Sequence, residues 1–391
     1  MIAWDTPTPV RLWADRADLA EQAVRARHLR RLWGIPGTLL GVSGWPATVG
    51  QRLFGPWNYW WQAHLLDCLV DAYTRGPSPR RLAPIRRLVS GIRLRNGLAW
   101  RNDYYDDMAW LALALLRAQR EAGVERPGAV PALAAALRSG WTDHGGGGIW
   151  WRRRDKYREV FKNAPTNGPA AILFARLADA PDGAGDDRGS ARALAGWMER
   201  NLVDPRSGLV HDGLRVDGAG AVEEVEYPVY TYCQGVFIGA CTELAALSTG
   251  SEATGWIRRA ERTIAAVADH LAVPGRIGPV LRGQGGGDGG LFAGILARYL
   301  ALAAPVLAGL GPRHEPAGRL AADLVFGSAD EAWRNRTVAP GGPVFGAEWA
   351  APAAGPRRDR AADRDLSVQA GAWMLLEAAA RLERTGFGAA W

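Results

Sequence analysis

The 391-residue chain has little cysteine, with only Cys68, Cys233 and Cys241, and less lysine, with only Lys156 and Lys162. Three cysteines cannot all pair within one chain. If Cys233 and Cys241 share a helix, eight residues at about 1.5 Å each hold them roughly 12 Å apart, beyond disulfide reach. Reduced thiols are therefore expected, as in a cytoplasmic protein. The first 24 residues contain three aspartates and a glutamate and no basic segment followed by an apolar one, so no signal peptide is expected. No run of 18 uncharged apolar residues occurs, so no transmembrane segment is expected either. Six histidines are present without HExxH or any other paired spacing, which leaves no zinc site and no cofactor to expect. Also missing are a GxGxxG after a strand, a P-loop and a GxSxG elbow, which excludes dinucleotide, P-loop and α/β-hydrolase chemistry. A terpene-cyclase DDxxD fails because its last position is Trp110.

What is present is a folded composition, 48% hydrophobic and 22% charged. A chain of this length buries roughly three quarters of its unfolded surface and needs no staple. The balance is basic, 47 Lys+Arg against 40 Asp+Glu. The arginines read as scattered, and the runs Arg30-Arg31 and Arg152-Arg153-Arg154 sit beside acids or apolar residues with no nucleic-acid motif. A solvated face is the expectation, not a nucleic-acid partner. Eighteen tryptophans are the other excess; a flat apolar ring with one N–H donor suits stacking on a ligand.

Helical periodicity dominates, broken by Gly/Pro-rich loops. Six segments beginning near residues 57, 103, 163, 230, 289 and 365 are apolar on nearly every face, as buried helices are. Between them lie amphipathic helices at about 12–33, 80–94, 128–139, 189–202, 252–272 and 313–334. Spacings of 46 to 76 residues are too irregular for an open solenoid. A closed double ring, six inner and six outer helices, fits, and it makes residues 1–391 one domain where length alone suggests two. In such a ring the inner-helix starts lie at one end, so the segments GPWNYWW, RNDYYDD, DHGGGGIWW with KNAPTNG, EYPVYTYCQG, GQGGGDGG and RDRAADRD are expected to converge there.

Asp106 and Asp107 open one buried helix among Tyr104, Tyr105 and Trp110. Glycoside hydrolysis needs two carboxylates, and the charge of one raises the pKa of the other. Ordinary helix-start chemistry behind Asn102 or Asp103 is the competing reading. The tetraglycine run either delivers Trp150 and Trp151 to a groove or closes on the core. Asn163 and Asn167 are caps or hydroxyl-binding amides, and Tyr230, Tyr232, Gln234 and Asp288 recur in the same setting. His64 reads as a core residue. Trp60, Trp61, Trp110, Trp150 and Trp151 are expected near the ligand, whereas Trp13, Trp33, Trp197, Trp256 and Trp333 are expected to pack between the rings.

The motifs NDYYDDMAW, GGGIWW, FKNAPTNGPAAILFARLA, YTYCQGVFIGACTELA and GGDGGLFAGILARYL, in this order, resemble glycoside hydrolase family 76, the endo-α-1,6-mannanases. The resemblance runs from about Trp57 to Leu300, with a last helix near Ser367–Glu377. It implies an all-α (α/α)6 barrel and a retaining mechanism in which Asp106 is the nucleophile and Asp107 the acid/base, about 5–5.5 Å apart. It places substrate-binding residues at Trp61, Tyr105, Trp150, Trp151, Asn163, Asn167, Tyr232, Gln234 and Asp288. Cys233 departs from the small or polar residue expected before the glutamine. The implied partner is an α-1,6-linked mannooligosaccharide or a mannan glycolipid acted on by a monomer. Missing an export signal and rich in Ala, Gly and Arg like a high-GC genome product, the chain points to the mannan core of an actinobacterial lipomannan-type glycolipid, reached by peripheral membrane association. Two other readings stay open: a sugar epimerase using a facing histidine pair that includes His64, and a glycan-binding barrel without turnover.

Overall fold

The computed structural model describes residues 12–153, 160–179, 186–354 and 364–387. Its helices in chain order are α1 (Leu12–His28), α2 (Val49–Leu53), α3 (Tyr59–Arg75), α4 (Pro79–Arg95), α5 (Tyr105–Ala122), α6 (Ala129–Ser139) and α7 (Ala164–Ala178). There follow α8 (Asp187–Asn201), α9 (Thr231–Leu247), α10 (Gly250–His270), α11 (Gly289–Gly309), α12 (Glu315–Arg334) and α13 (Leu366–Arg384). Helices α3, α5, α7, α9, α11 and α13 pack each on the next, and α13 returns to α3, closing an inner ring. Around it, α1, α4, α6, α8, α10 and α12 each lie against inner helices. This is the all-α (α/α)6 barrel that the periodicity predicts.

Each inner helix begins within two residues of its expected start, because a polar or aromatic residue leads into it: Asn58, Tyr104, Asn163, Tyr230, Asp288 and Asp365. The first outer helix is shorter than the expected 12–33. The chain leaves it at His28 because Leu29–Arg30 pairs as a strand with Leu40–Gly41, and the His28 ring bonds the Val42 carbonyl at 2.8 Å. Helices α11 and α13 approach at glycines: a Cβ on Gly371 would meet the Gly290 carbonyl oxygen at 2.1 Å.

The inner ring carries charge at the end away from the helix starts. Asp67 and Asp71 of α3 both bind Arg117 of α5 and Arg298 of α11. A buried carboxylate is tolerated when paired in this way. Among the described helices, α11 is also the one long and apolar enough to cross a membrane. It lies mostly buried between α9, α12 and α13, so its apolar surface is used in the core. Cys68, Cys233 and Cys241 are buried and free.

Candidate active site

Five of the six inner-helix openings converge on a cleft of about 750 Å³. The sixth, residues 358–365, lies largely outside the described residues; its Asp365 accepts the Gly287 N–H at 3.2 Å. From α3 the cleft receives Asn58, Tyr59 and Trp60, from α5 Tyr104, Asp106, Asp107 and Trp110, and from α9 Tyr230 and Tyr232. Gln284, Gly286, Asp288 and Phe292 come from the segment that opens α11, and Trp151, Phe161, Asn163 and Asp212 from the loops and sheet around the start of α7. A sugar ring has a polar edge and an apolar face, and this wall of carboxylates between aromatic rings offers both.

The first turn of α5 sets the carboxylate pair. Asp106 Oδ1 accepts the Asp107 backbone N–H at 2.8 Å, and Oδ2 accepts the Trp151 indole N–H at 3.0 Å. Burial pushes the Asp106 carboxyl above the usual range, these donors pull it back, and Asp212 adds to the rise. Asp107 accepts the Asn102 side-chain amide. Burial drives its pKa well up, the Asp106 charge drives it further, Asn102 opposes, and Asp288 adds repulsion. The environments are unequal: Asp106 has two N–H donors that favour the ionised form, and Asp107 faces two acids that favour the protonated one.

The loop carrying Trp151 is held from inside. Gly145, Gly146, Gly147 and Gly148 all have positive φ, between 63° and 118°, a region open to glycine. Their turn wraps the ammonium of Lys162, which is fully buried and shares its three N–H groups among the carbonyls of Thr142, His144, Gly147 and Gly148 and the Thr142 hydroxyl, at 2.7–3.0 Å. Burial pulls the Lys162 pKa down to about 7. The convergent oxygens favour the proton, since a neutral amine would turn its lone pair onto one of them.

The expected site residues divide. Asp106, Asp107, Trp151, Asn163, Tyr232 and Asp288 reach the cleft. Asn163 also caps α7, its Oδ1 accepting the Thr166 N–H at 3.2 Å. Tyr232 stacks on Phe292 with ring centres 3.9 Å apart. The other five lie beneath the wall. The Trp61 indole donates to Asp288 at 2.8 Å, as Trp60 does from the cleft side at 3.1 Å. Tyr105 is turned into the core against Gly140. Trp150 is buried with the Lys162 ammonium 4.6 Å from its ring centre. Asn167 bonds the backbone N–H and carbonyl of Ile149, and Gln234 does the same to Val210. These two amides tie loops to α7 and α9.

Asp212 escaped the sequence reading. It sits in a turn, not at a helix start, and reaches the cleft because Gly213–Val216 pairs as a strand with Phe161–Asn163. Burial, with Glu226 nearby, pushes its pKa up to about 6. The Cys233 thiol points to it at 3.9 Å. His64 is a buried core residue as expected, and among the described residues neither ring nitrogen has a hydrogen-bond partner. Its neighbours are the rings of Trp60 and Trp110, and burial pulls its pKa down to about 3. Among the described residues no histidine lines the cleft. Of the tryptophans assigned to the outer ring, Trp13, Trp197 and Trp256 are buried as expected, whereas Trp33 stands 47% exposed outside α1.

The family model of glycosyl hydrolase family 76 matches residues 27–378. No functionally curated protein matches. Among solved structures, an α-1,6-mannanase of Salegentibacter sp. HEL1_6 from that family is 30% identical over 94% of this chain and 99% of its own, with a TM-score of 0.76. An inactive variant of the same mannanase, with two consecutive aspartates replaced by asparagine, was solved with α-1,6-mannotriose; it is 29% identical over 94% and 99%, TM-score 0.76. The Lin0763 protein of Listeria innocua is 27% identical over 95% and 98%, TM-score 0.79. The chain belongs to glycosyl hydrolase family 76.

Proposed function

We propose that the protein is an endo-acting, retaining α-1,6-mannanase whose nucleophile is Asp106 and whose acid/base is Asp107. The observation that carries this is the unequal carboxylate pair in an aromatic cleft. The similar mannanase that is inactive when two consecutive aspartates are replaced supports it. In the first step Asp106 attacks the anomeric carbon while Asp107 gives its proton to the glycosidic oxygen. The bond to the leaving sugar breaks, and a mannosyl ester on Asp106 forms. In the second, Asp107, now ionised, takes a proton from water as the water oxygen attacks the anomeric carbon and releases Asp106. A sugar hydroxyl in place of that water gives transglycosylation.

Burial suits this division of labour. The proton on Asp107 is retained at neutral pH because ionising it would place a second negative charge beside Asp106 in a poorly solvated site. Trp151 holds Asp106 in line without taking its charge. Trp60, Trp110, Trp151 and the stacked Tyr232–Phe292 pair provide apolar faces for the sugar rings, and Asn163, Asp212, Gln284 and Asp288 provide acceptors and donors for hydroxyls. For the natural substrate we favour the mannan core of a lipomannan-type glycolipid.

The test is product analysis against a panel of α-linked mannooligosaccharides, with the anomer of the first product read by NMR. Shortening of α-1,6-linked chains with α-anomeric product is expected, with Asp106→Asn and Asp107→Asn each lowering the rate by about 10²–10⁴-fold. Wild-type-like turnover in either variant, or β-anomeric product, refutes the assignment. Tight oligosaccharide binding without any product selects the glycan-binding reading instead.

A further inference from the structure

The arginines that look scattered along the chain are segregated. Residues 22–102 contain thirteen arginines and two acids, Asp67 and Asp71, a net charge of +11 where the whole chain carries +7. Both aspartates are occupied by Arg117 and Arg298. Three of the arginines, Arg25, Arg75 and Arg81, pair with Asp18, Glu21 or Glu377. Arg27 is buried on four carbonyls. Arg95 is half-buried over tryptophan rings. That leaves Arg30, Arg31, Arg52, Arg80, Arg86, Arg87, Arg93 and Arg101 exposed, without an acidic partner among the described residues.

The same sector exposes apolar side chains that a water-facing surface does not need. Trp33 is 47% exposed, Val49 72%, Phe54 80% and Leu98 63%, with Ile35 and Leu53 close to 40%. They are joined. The Trp33 indole donates to the Leu53 carbonyl at 2.9 Å, the Arg95 guanidinium lies 5.7 Å from the Trp33 ring centre and 5.5 Å from that of Trp57, and Arg93 bonds the Leu98 carbonyl at 3.3 Å. Helix α2 buries none of its residues and is pinned at its start by a reciprocal Thr48–Gln51 cap. A continuous exposed patch of Trp, Phe and aliphatic residues rimmed by arginine marks an interaction surface.

We propose that this α2–α4 face docks on an anionic lipid bilayer. Arginines attracted to lipid phosphates, and Trp33 and Phe54 set at headgroup depth, are the two signals that together hold a peripheral protein. A nucleic acid would use the arginines but has no place for Ile35, Val49, Leu53 and Phe54. The patch runs straight into Trp57, whose ring packs on Tyr59 at 5.5 Å, and then into Asn58 and Trp60 of the cleft. Docking therefore sets the cleft mouth beside the membrane, where a lipid-anchored mannan presents its chain. This last point rests on the proposed glycolipid substrate; the docking itself does not.

Flotation of the full chain with vesicles tests it, comparing pure phosphatidylcholine with vesicles containing 30 mol% phosphatidylinositol and no glycolipid. Expected are binding to the anionic vesicles alone, loss of binding in 0.5 M NaCl, and at least tenfold weaker binding of Phe54→Ser and of the pair Arg31→Glu, Arg52→Glu. These positions lie outside the cleft, so hydrolysis of soluble α-1,6-mannotetraose by the variants stays at the wild-type rate, and a protein inactive on that substrate that still binds vesicles fails the functional reading and not this one. Equal binding to neutral and anionic vesicles, binding to neither, or binding to an oligonucleotide with Phe54→Ser unaffected overturns the proposal.

Discussion

Lys162→Met removes the ammonium from inside the glycine loop at nearly constant side-chain volume. Of the oxygens that surround Nζ, the carbonyls of Thr142 and Gly147 have no other donor among the described residues. Each such buried acceptor left unmet costs about 1–3 kcal/mol, so the loss is about 4 kcal/mol. That is a large part of a stability of order 5–15 kcal/mol, yet it leaves the chain folded. With an unfolding entropy of roughly 2.1 cal/mol/K per residue, 391 residues give about 0.8 kcal/mol/K, and Tm falls by about 5 °C. Catalysis suffers separately, because the loop aims Trp151 at Asp106. A hydrogen bond to a charged acceptor is worth about 1.5–3 kcal/mol, so its loosening lowers kcat by roughly ten- to a hundredfold. Calorimetry and turnover of α-1,6-mannotetraose read the two effects. A variant melting within 1 °C of wild type with unchanged kcat would show that the loop holds its shape without the ammonium, and would sink the reasoning.

Three further outcomes follow from the carboxylates. Asp106 must be ionised and Asp107 protonated, and burial raises both; the rate should rise with pH through the first pKa and fall through the second, with both limbs above the ordinary carboxylate range. An optimum near pH 4 contradicts this. Trp151→Phe deletes the indole donor, so the Asp106 pKa rises further and the acid limb moves to higher pH, while the neutral-pH rate falls about tenfold or more; an unmoved limb removes Trp151 from that role. Finally, Asp107 has a folded pKa above its unfolded one, so it favours the native state at low pH and costs stability as pH rises through and above the unfolded value. Asp107→Asn should therefore melt higher than wild type at pH 7 and not at pH 3.5, while being inactive. Equal melting at both pH values refutes the buried-charge account.

The inner ring was legible because six segments are apolar on every face and each is led in by a polar or aromatic residue that stops the helix from starting earlier. The phase of individual side chains was not. Of the aromatic neighbours Trp60 and Trp61, Tyr104 and Tyr105, and Trp150 and Trp151, one of each faces the cleft and the other the core. Successive side chains diverge by about 100° on a helix and about 180° on a strand. A doublet of equal hydrophobicity hides which member is which. Asn167 and Gln234 were misplaced for another reason: each sits about a turn below the helix opening, where loop backbone groups claim its amide. Asp212 depended on a strand pairing between segments some fifty residues apart, which no local pattern reveals. The clustering of arginines was present in the sequence all along but needed the acids to be counted beside them.

Ring closure has a cost in time as well as in geometry. The first turn of α1 is capped from α13, where Glu383 accepts the backbone N–H groups of Trp13 and Ala14. Helix α13 also fills the gap between α11 and α3. The last of the described helices is thus the keystone for the first, and the contacts that join them span some 370 residues. During synthesis the apolar flanks of α3 and α11 stay bare until α13 leaves the ribosome, so a chain stalled before Leu366 is left as an open arc that aggregates, not as a smaller barrel. The proximity of α1 and α13 also makes this seam the place where the two helices can be joined: a permutant that links them by a short linker and opens a surface loop elsewhere keeps every inner-ring contact.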